Sequence, residues 1–242
     1  MSFSPDTSVG QIVVEKPRTA LVFQKYGIDY CCHGFHSLRE ACAAKQLPLE
    51  TVQTELAAAE GYSPGETDWS KRSLTELVQH IVATHHAYLN RVMPQLQQMT
   101  TKIASVHGGR HPELIGVRDA FAAIKAELDS HMFKEEMILF PAIQRMEQAQ
   151  MPPGAGRQIF GPVSVMLAEH ESAGHLLATM RSLTAGYAIP ADACTTYQAT
   201  LRGLEELEAD LHLHIHKENN ILFPRAIGSD EDYAELRASA CG

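Results

Sequence analysis

The sequence predicts an all-α protein, an up-down four-helix bundle preceded by a small helical N-terminal domain. Three observations carry this. Four long stretches repeat apolar residues at helical spacing, clusters of Gly and Pro separate them, and strand-like alternation is nearly missing between them.

Near the N-terminus, Pro17 suits the first turn of a helix, and Ala20, Leu21, Phe23 and Gln24 continue it in helical order. The segment from Tyr26 to Gly34, with Cys31-Cys32-His33 inside it, breaks the pattern. Ser37 reads as an N-cap for a helix through Ala44, and Pro48 opens another to Ala59. This gives an N-terminal helical domain over residues 1–60, a linker over 61–72 containing Gly61-Tyr62-Ser63-Pro64-Gly65, and a bundle over 73–242. The bundle helices are expected near Ser73–Thr101, Pro112–Glu147, Pro162–Ala185 and Asp192–Arg225. Gly108-Gly109, Pro152-Pro153-Gly154 and the stretch from Gly186 to Pro190 separate them.

Composition narrows the function classes. The 242 residues are 45% hydrophobic and 20% charged, enough for a full core without covalent staples. A formal charge of −9 and the lack of a basic stripe argue against nucleic acid as a partner. The N-terminus has no basic-then-apolar order, and no apolar run approaches the ~20 residues that cross a bilayer. Five irregularly spaced cysteines suit a reducing compartment, so the expected location is cytoplasmic, away from membranes.

Two stretches reduce to one pattern, H-x-x-x-E-x-x-I-L-F-P. The first runs from His131 through Glu135 to Pro141, the second from His214 through Glu218 to Pro224. Residues four apart share a helix face, so each copy aims an imidazole and a carboxylate at one point. The duplication extends further. His170 precedes His214, and His86 precedes His131, by nearly equal stretches, so each helical hairpin supplies one lone His and one His-x-x-x-Glu. Four imidazoles and two carboxylates on apolar stripes point to a pair of iron or manganese ions rather than to structural zinc. Ile124 or Leu207, Leu128 or Leu211, and Ile138 or Ile221 are expected on the same inward face, with Glu127 or Asp210 one turn before each motif His to accept its free N–H.

Periodicity leaves the first lone His open. His85 fits the apolar stripe, while His86 keeps the better spacing. His80, His175, His212 and His216 are expected on helix surfaces. The adjacent Cys31 and Cys32 are candidates for redox or metal transfer, with two buried apolar side chains as the alternative. Cys42, Cys194 and Cys241 are read as structural or incidental.

The order His, His-x-x-x-Glu, His, His-x-x-x-Glu resembles the hemerythrin-like bundle. Together with Tyr26-Gly27-Ile28-Asp29-Tyr30-Cys31-Cys32 it is similar to the RIC (repair of iron centres) family, of the YtfE/ScdA type. The resemblance covers nearly the whole chain, including Gly161-Pro162-Val163-Ser164-Val165-Met166, Glu169-His170, Ala193-Cys194-Thr195-Thr196 and the run from Glu218 to Ala226. It implies the ligand set His86, His131, Glu135, His170, His214 and Glu218 on two iron ions, the carboxylates bridging, and takes His86 over His85 on its distance to Pro94. It implies repair of iron-sulfur clusters damaged by oxidative or nitrosative stress, by supplying iron along a polar path past Glu127 and Glu169 with Cys31 and Cys32 handing it on. Reduction of nitric oxide at the iron pair is the alternative, and sensing of oxygen or nitric oxide the third. The implied partners are proteins with damaged clusters and NO or O2 as small ligands, with a second copy of the chain as a further candidate.

Overall fold

The computed structural model describes residues 3–59, 67–149 and 155–240. Most of the expected linker, residues 61–66, and Cys241 lie outside the described residues.

The N-terminal helices are short and tightly capped. Helix α1 (Val9–Glu15) starts at Ser8, whose side chain accepts the Gln11 N–H. A 3-10 turn, Pro17–Thr19, leads into α2 (Ala20–Tyr26), which stops at Gly27 with φ 61°. Ser37 caps α3 (Leu38–Ala44) in a reciprocal box with Glu40, and α4 (Leu49–Ala58) follows Pro48, as their sequence signals predict. These helices enclose Ile12, Phe23, Leu38, Val52 and Leu56 in a core of their own, against which Leu213 of the bundle packs.

The bundle is built from four rods. The first joins α5 (Leu74–Ile81), a π-helical turn (Val82–His86) and α6 (Ala87–His107). The second joins α7 (Glu113–Lys134), a π turn (Glu135–Leu139) and α8 (Phe140–Gln148). The third is α9 (Phe160–Leu183). The fourth joins α10 (Thr195–Lys217), a π turn (Glu218–Leu222) and α11 (Phe223–Ile227). A final helix, α12 (Asp230–Ala240), folds back on α9 and α11, and the sequence pattern does not predict it. α7 packs against α6 and α9, and α10 against α6.

The core is divided along the rods. One apolar cluster runs from Leu89 and Leu128 to Leu177 and Leu211, and another gathers Leu77, Ile81, Phe140, Leu167 and Phe223. On every rod the switch between clusters falls at the motif residues: His86, His131 to Glu135, His170, and His214 to Glu218. The site is thus a polar layer sealed above and below by packed side chains.

Three of the four rods carry a π turn at that layer, which the 3.6-residue pattern does not announce. An extra residue in a turn widens it and rotates the helix beyond it. Ile138 departs from the expectation at 55% exposed, whereas Ile221 at the same motif position is 6% exposed as expected. α1 covers the π turn of the second copy, and Val14 packs into the cluster that holds Ile221. The first copy has no such cover among the described residues, and Phe133, Met137 and Ile138 remain exposed there.

The two isoleucines should therefore respond differently to the same change. Ile221→Ala should destabilise by roughly 2–5 kcal/mol through a buried cavity, and Ile138→Ala by about 0.5 kcal/mol or less. Chemical denaturation of both variants measures this, and equal losses would contradict the asymmetric cover.

Candidate metal centre

The six motif side chains meet in one layer. His86 ends the first π turn, Glu135 and Glu218 open the other two, His131 and His214 stand one turn earlier, and His170 lies inside α9. All are at most 2% exposed. His86 Nε2 and His131 Nε2 lie 3.3 and 3.4 Å from Glu135 Oε2. His170 Nε2 lies 3.1 Å from Glu218 Oε2 and His214 Nε2 3.0 Å from Glu218 Oε1. The donor atoms form two overlapping groups, His86/His214 and His131/His170, each completed by both Glu135 and Glu218, with every atom of a group within 4.8 Å of the others.

Outer partners set the direction of three rings. His86 Nδ1 donates to Glu136 Oε1 (2.7 Å), His131 Nδ1 to Glu169 Oε2 (2.9 Å) and His170 Nδ1 to Asn219 Oδ1 (2.8 Å). With that proton committed outward, each Nε2 turns a lone pair inward, the form that ligates a metal. His131 Nε2 and His170 Nε2 then face each other at 3.1 Å. Two lone pairs at that distance repel unless a cation or a proton lies between them.

The charge balance makes the same demand. Burial and the neighbouring Glu218 oppose ionisation of Glu135, yet His131 and His86 hold its pKa below the usual carboxylate range. Glu218 sits well below that range despite its burial, through His214 and His170. Burial opposes a proton on His131, but Glu135, Glu169 and Glu218 push its pKa up to about 10. Both oxygens of Glu135, Glu218 Oε2 and His86 Nε2 are buried without a hydrogen-bond partner. Unpartnered buried carboxylates are costly. Orphaned acceptors, inward lone pairs and two negative charges fit a cationic metal cluster, and the nitrogen/oxygen donor set suits iron.

The structure separates the two adjacent histidines that periodicity left open. His86 enters the layer. His85 stands beside it, its Nδ1 donating to Asp210 Oδ1 (2.9 Å), its Nε2 accepting from Lys217 Nζ (2.7 Å), its ring stacked at 5.2 Å on His214. This corrects the role expected of Asp210, which serves His85 rather than His214. Glu127 fails in the same role: Glu169 takes His131, and Glu127 Oε2 is buried without a partner. For His86, His131 and His170 the acceptor comes from a neighbouring rod. His216 is also corrected, from surface to 4% exposed, because the N-terminal segment covers it. Its Nδ1 lies 3.4 Å from Tyr30 O, and burial pushes its pKa down to about 4. His80 is half-buried against Trp69 and His212 half-buried, while His175 is exposed as expected.

Sequence reasoning passed over Glu136, Asn219 and Asn220. The signal was present, since Glu136 and Asn219 each follow the motif Glu of their copy, and each reaches the lone His of its own hairpin. Asn219 and Asn220 also fasten the cysteine segment. Asn219 Nδ2 donates to Cys31 O (3.4 Å), and Asn220 Nδ2 donates to Tyr30 O and Cys31 O (both 3.2 Å). The close fit needs glycine at position 34, where a Cβ would sit 2.6 Å from Tyr30 O and 2.7 Å from Asn220 Oδ1.

Cys31 and Cys32 are buried with their sulfurs 3.9 Å apart, and Cys32 Sγ lies 3.5 Å from His170 O. Asp29 accepts from the backbone N–H of both and from the His33 ring. The hydrogen bond to Cys32, burial and the Asp29 charge push the Cys31 thiol well up. Its hydrogen bond to Cys32 favours the Cys32 thiolate, but burial, Asp29 and Glu171 outweigh it. Both shifts favour the thiol form. With Asp29 they form a further group of donor atoms within 4.8 Å, open to a cavity of about 490 Å³.

Comparison with known proteins agrees with this layout. Residues 77–226 match the hemerythrin HHE cation binding domain, and residues 5–60 match the ScdA_N domain, described as a domain of unknown function. The chain is 39% identical over 225 residues to the iron-sulfur cluster repair protein YtfE of Escherichia coli O157:H7, covering 93% of this chain and 98% of that one. It is 38% identical over 230 residues to the protein of the same name from Citrobacter koseri, covering 95% and 100%. The two domain matches and the 38–39% identity over almost the full length of these relatives place the chain, with its sealed histidine/glutamate layer, in the hemerythrin-like RIC family to which the YtfE proteins belong.

Proposed function

We propose that this protein holds two iron ions in the layer and supplies iron to iron-sulfur clusters damaged by oxidative or nitrosative stress. The observation that carries it is the sharing of Glu135 and Glu218 by two four-donor groups, which suits a carboxylate-bridged pair of ions. His86 and His214 would hold one ion, His131 and His170 the other. Bound there, iron supplies a redox-active, exchangeable cation. Glu136, Glu169 and Asn219 keep the rings aimed, and the two apolar clusters exclude water. The repair role in the relatives' names supports this reading.

The rest of the chain takes part through the cysteines. We read residues 1–60 as a unit that brings Cys31 and Cys32 to the layer and residues 73–242 as the unit that builds it. The contact of Cys32 with His170 O and the Asn219 bridge from His170 to Cys31 O bring the pair against the layer, which favours it as an acceptor of iron that leaves. Proteins with damaged clusters would then be the partners. Nitric oxide as a ligand of the same ions is a second reading, favoured by donor groups of four side chains, which would leave room at iron for a small ligand.

Anaerobic purification with metal analysis and visible absorption tests the centre. About two irons per chain with oxo-bridged ferric bands is expected, and stoichiometric zinc or no uptake of ferrous iron would refute it. Glu135→Leu and Glu218→Leu should each lose most of both ions, because each carboxylate serves both groups. Full occupancy in either variant would remove that residue from the ligand set. Cys31→Ala with Cys32→Ala should leave iron content unchanged and slow recovery of a damaged cluster enzyme by roughly tenfold or more, the scale of losing a tuned ligand. Unchanged recovery would take the cysteines out of the path.

A further inference from the structure

The two copies of the motif impose an approximate two-fold relation on the layer. It exchanges His86 with His170, His131 with His214 and Glu135 with Glu218, and so exchanges the two four-donor groups. It also pairs the surrounding residues: Glu136 with Asn219, Lys134 with Lys217, and Glu127 with Asp210. The relation breaks in two places beside the rings: Glu136 meets His86 with a carboxylate where Asn219 meets His170 with an amide, and the residue before His170 is Glu169 while the residue before His86 is His85. Of these, the second removes an acceptor.

The consequences are visible atom by atom. Glu169 takes the Nδ1 proton of His131 and is itself paired with Lys134. At the equivalent place His85 cannot do the same for His214. Its Nδ1–H is spent on Asp210 and its Nε2 lone pair on Lys217. His214 meets only the face of that ring, stacked at 5.2 Å and 2°, and His214 Nδ1 is buried without a partner. One histidine in the His86/His214 group therefore lacks the outer acceptor that orients a ligand and raises its basicity. Both histidines of the His131/His170 group have one.

We propose that the two metal positions are unequal, and that His85 makes the His86/His214 position the one that releases its ion first. Losing one such outer acceptor costs about 10- to 100-fold in metal affinity. The ion shared by His131 and His170 stays as the retained partner, while its neighbour is the exchangeable cargo. This rests on the proposed iron pair and adds which of the two is given up.

The test is release of ferrous iron from the loaded full-length protein into excess ferrozine under anaerobic conditions, followed by colour. The wild type should lose one iron in a fast phase and one at least tenfold more slowly. His85→Glu, which restores an acceptor beside His214 with Lys217 already placed to pair with it, should slow the fast phase by at least tenfold. The reverse change, Glu169→His, should make both phases fast. His214→Ala should abolish the fast phase and retain the slow ion. Release of both ions at one rate in the wild type would overturn the proposal, as would a fast phase indifferent to both His85→Glu and Glu169→His. A wild type that never takes up two irons would instead overturn the reading on which it rests. Metal content before release separates these failures, and near-ultraviolet circular dichroism of each loaded variant confirms that it is folded.

Discussion

Two carboxylates buried at the centre of an apolar bundle are the constraint on which the rest of the structure depends. Glu135 and Glu218 are fully buried, and each raises the cost of ionising the other. Such a pair survives only with positive charge in contact, and four imidazoles from four rods surround it. The apolar clusters above and below keep water from relieving the demand. The bundle is thereby a container whose filling is specified by charge and donor type.

The same constraint explains the backbone. Three rods depart from α-helical geometry, and each does so at the layer: Val82–His86, Glu135–Leu139 and Glu218–Leu222. A π turn costs regular hydrogen bonding, and its appearance at the donor residues fits the placement of imidazole and carboxylate on one small target. Within the turn the second copy offers Asn219 and Asn220, which hold the cysteine segment over His170. The first copy offers Met137 and Ile138 to solvent instead. A duplicated frame has thus been given two different outer faces, one of which couples the N-terminal helices to the site.

Much of the fold and of the site was legible in the sequence. The helical rods, the capped helix after Ser37 and the doubled His-x-x-x-Glu depend on short-range periodicity, which a linear pattern records directly. The π turns were not legible, because an inserted residue leaves the residue types unchanged while altering what they face; nor was the exposure of Ile138, because it depends on α1 covering the second copy and not the first among the described residues. α12 was missed because its stretch is polar and its apolar contacts, through Tyr233 and Leu236, are few.

By itself the sequence determined the class of the fold, the membership of the donor set apart from the first lone His, and the nitrogen-rich character of the site. These follow from residue type and spacing within single helices. Periodicity left His85 and His86 open and the family resemblance took His86; the tertiary structure set the two apart, gave His131 Glu169 in place of Glu127, turned Asp210 to His85 instead of His214, and buried His216 beneath Tyr30. Each of these depends on which side chain of one rod meets which ring of another, or on what covers a helix face. The rotation and approach of separate rods set such contacts, and no spacing along one chain encodes them.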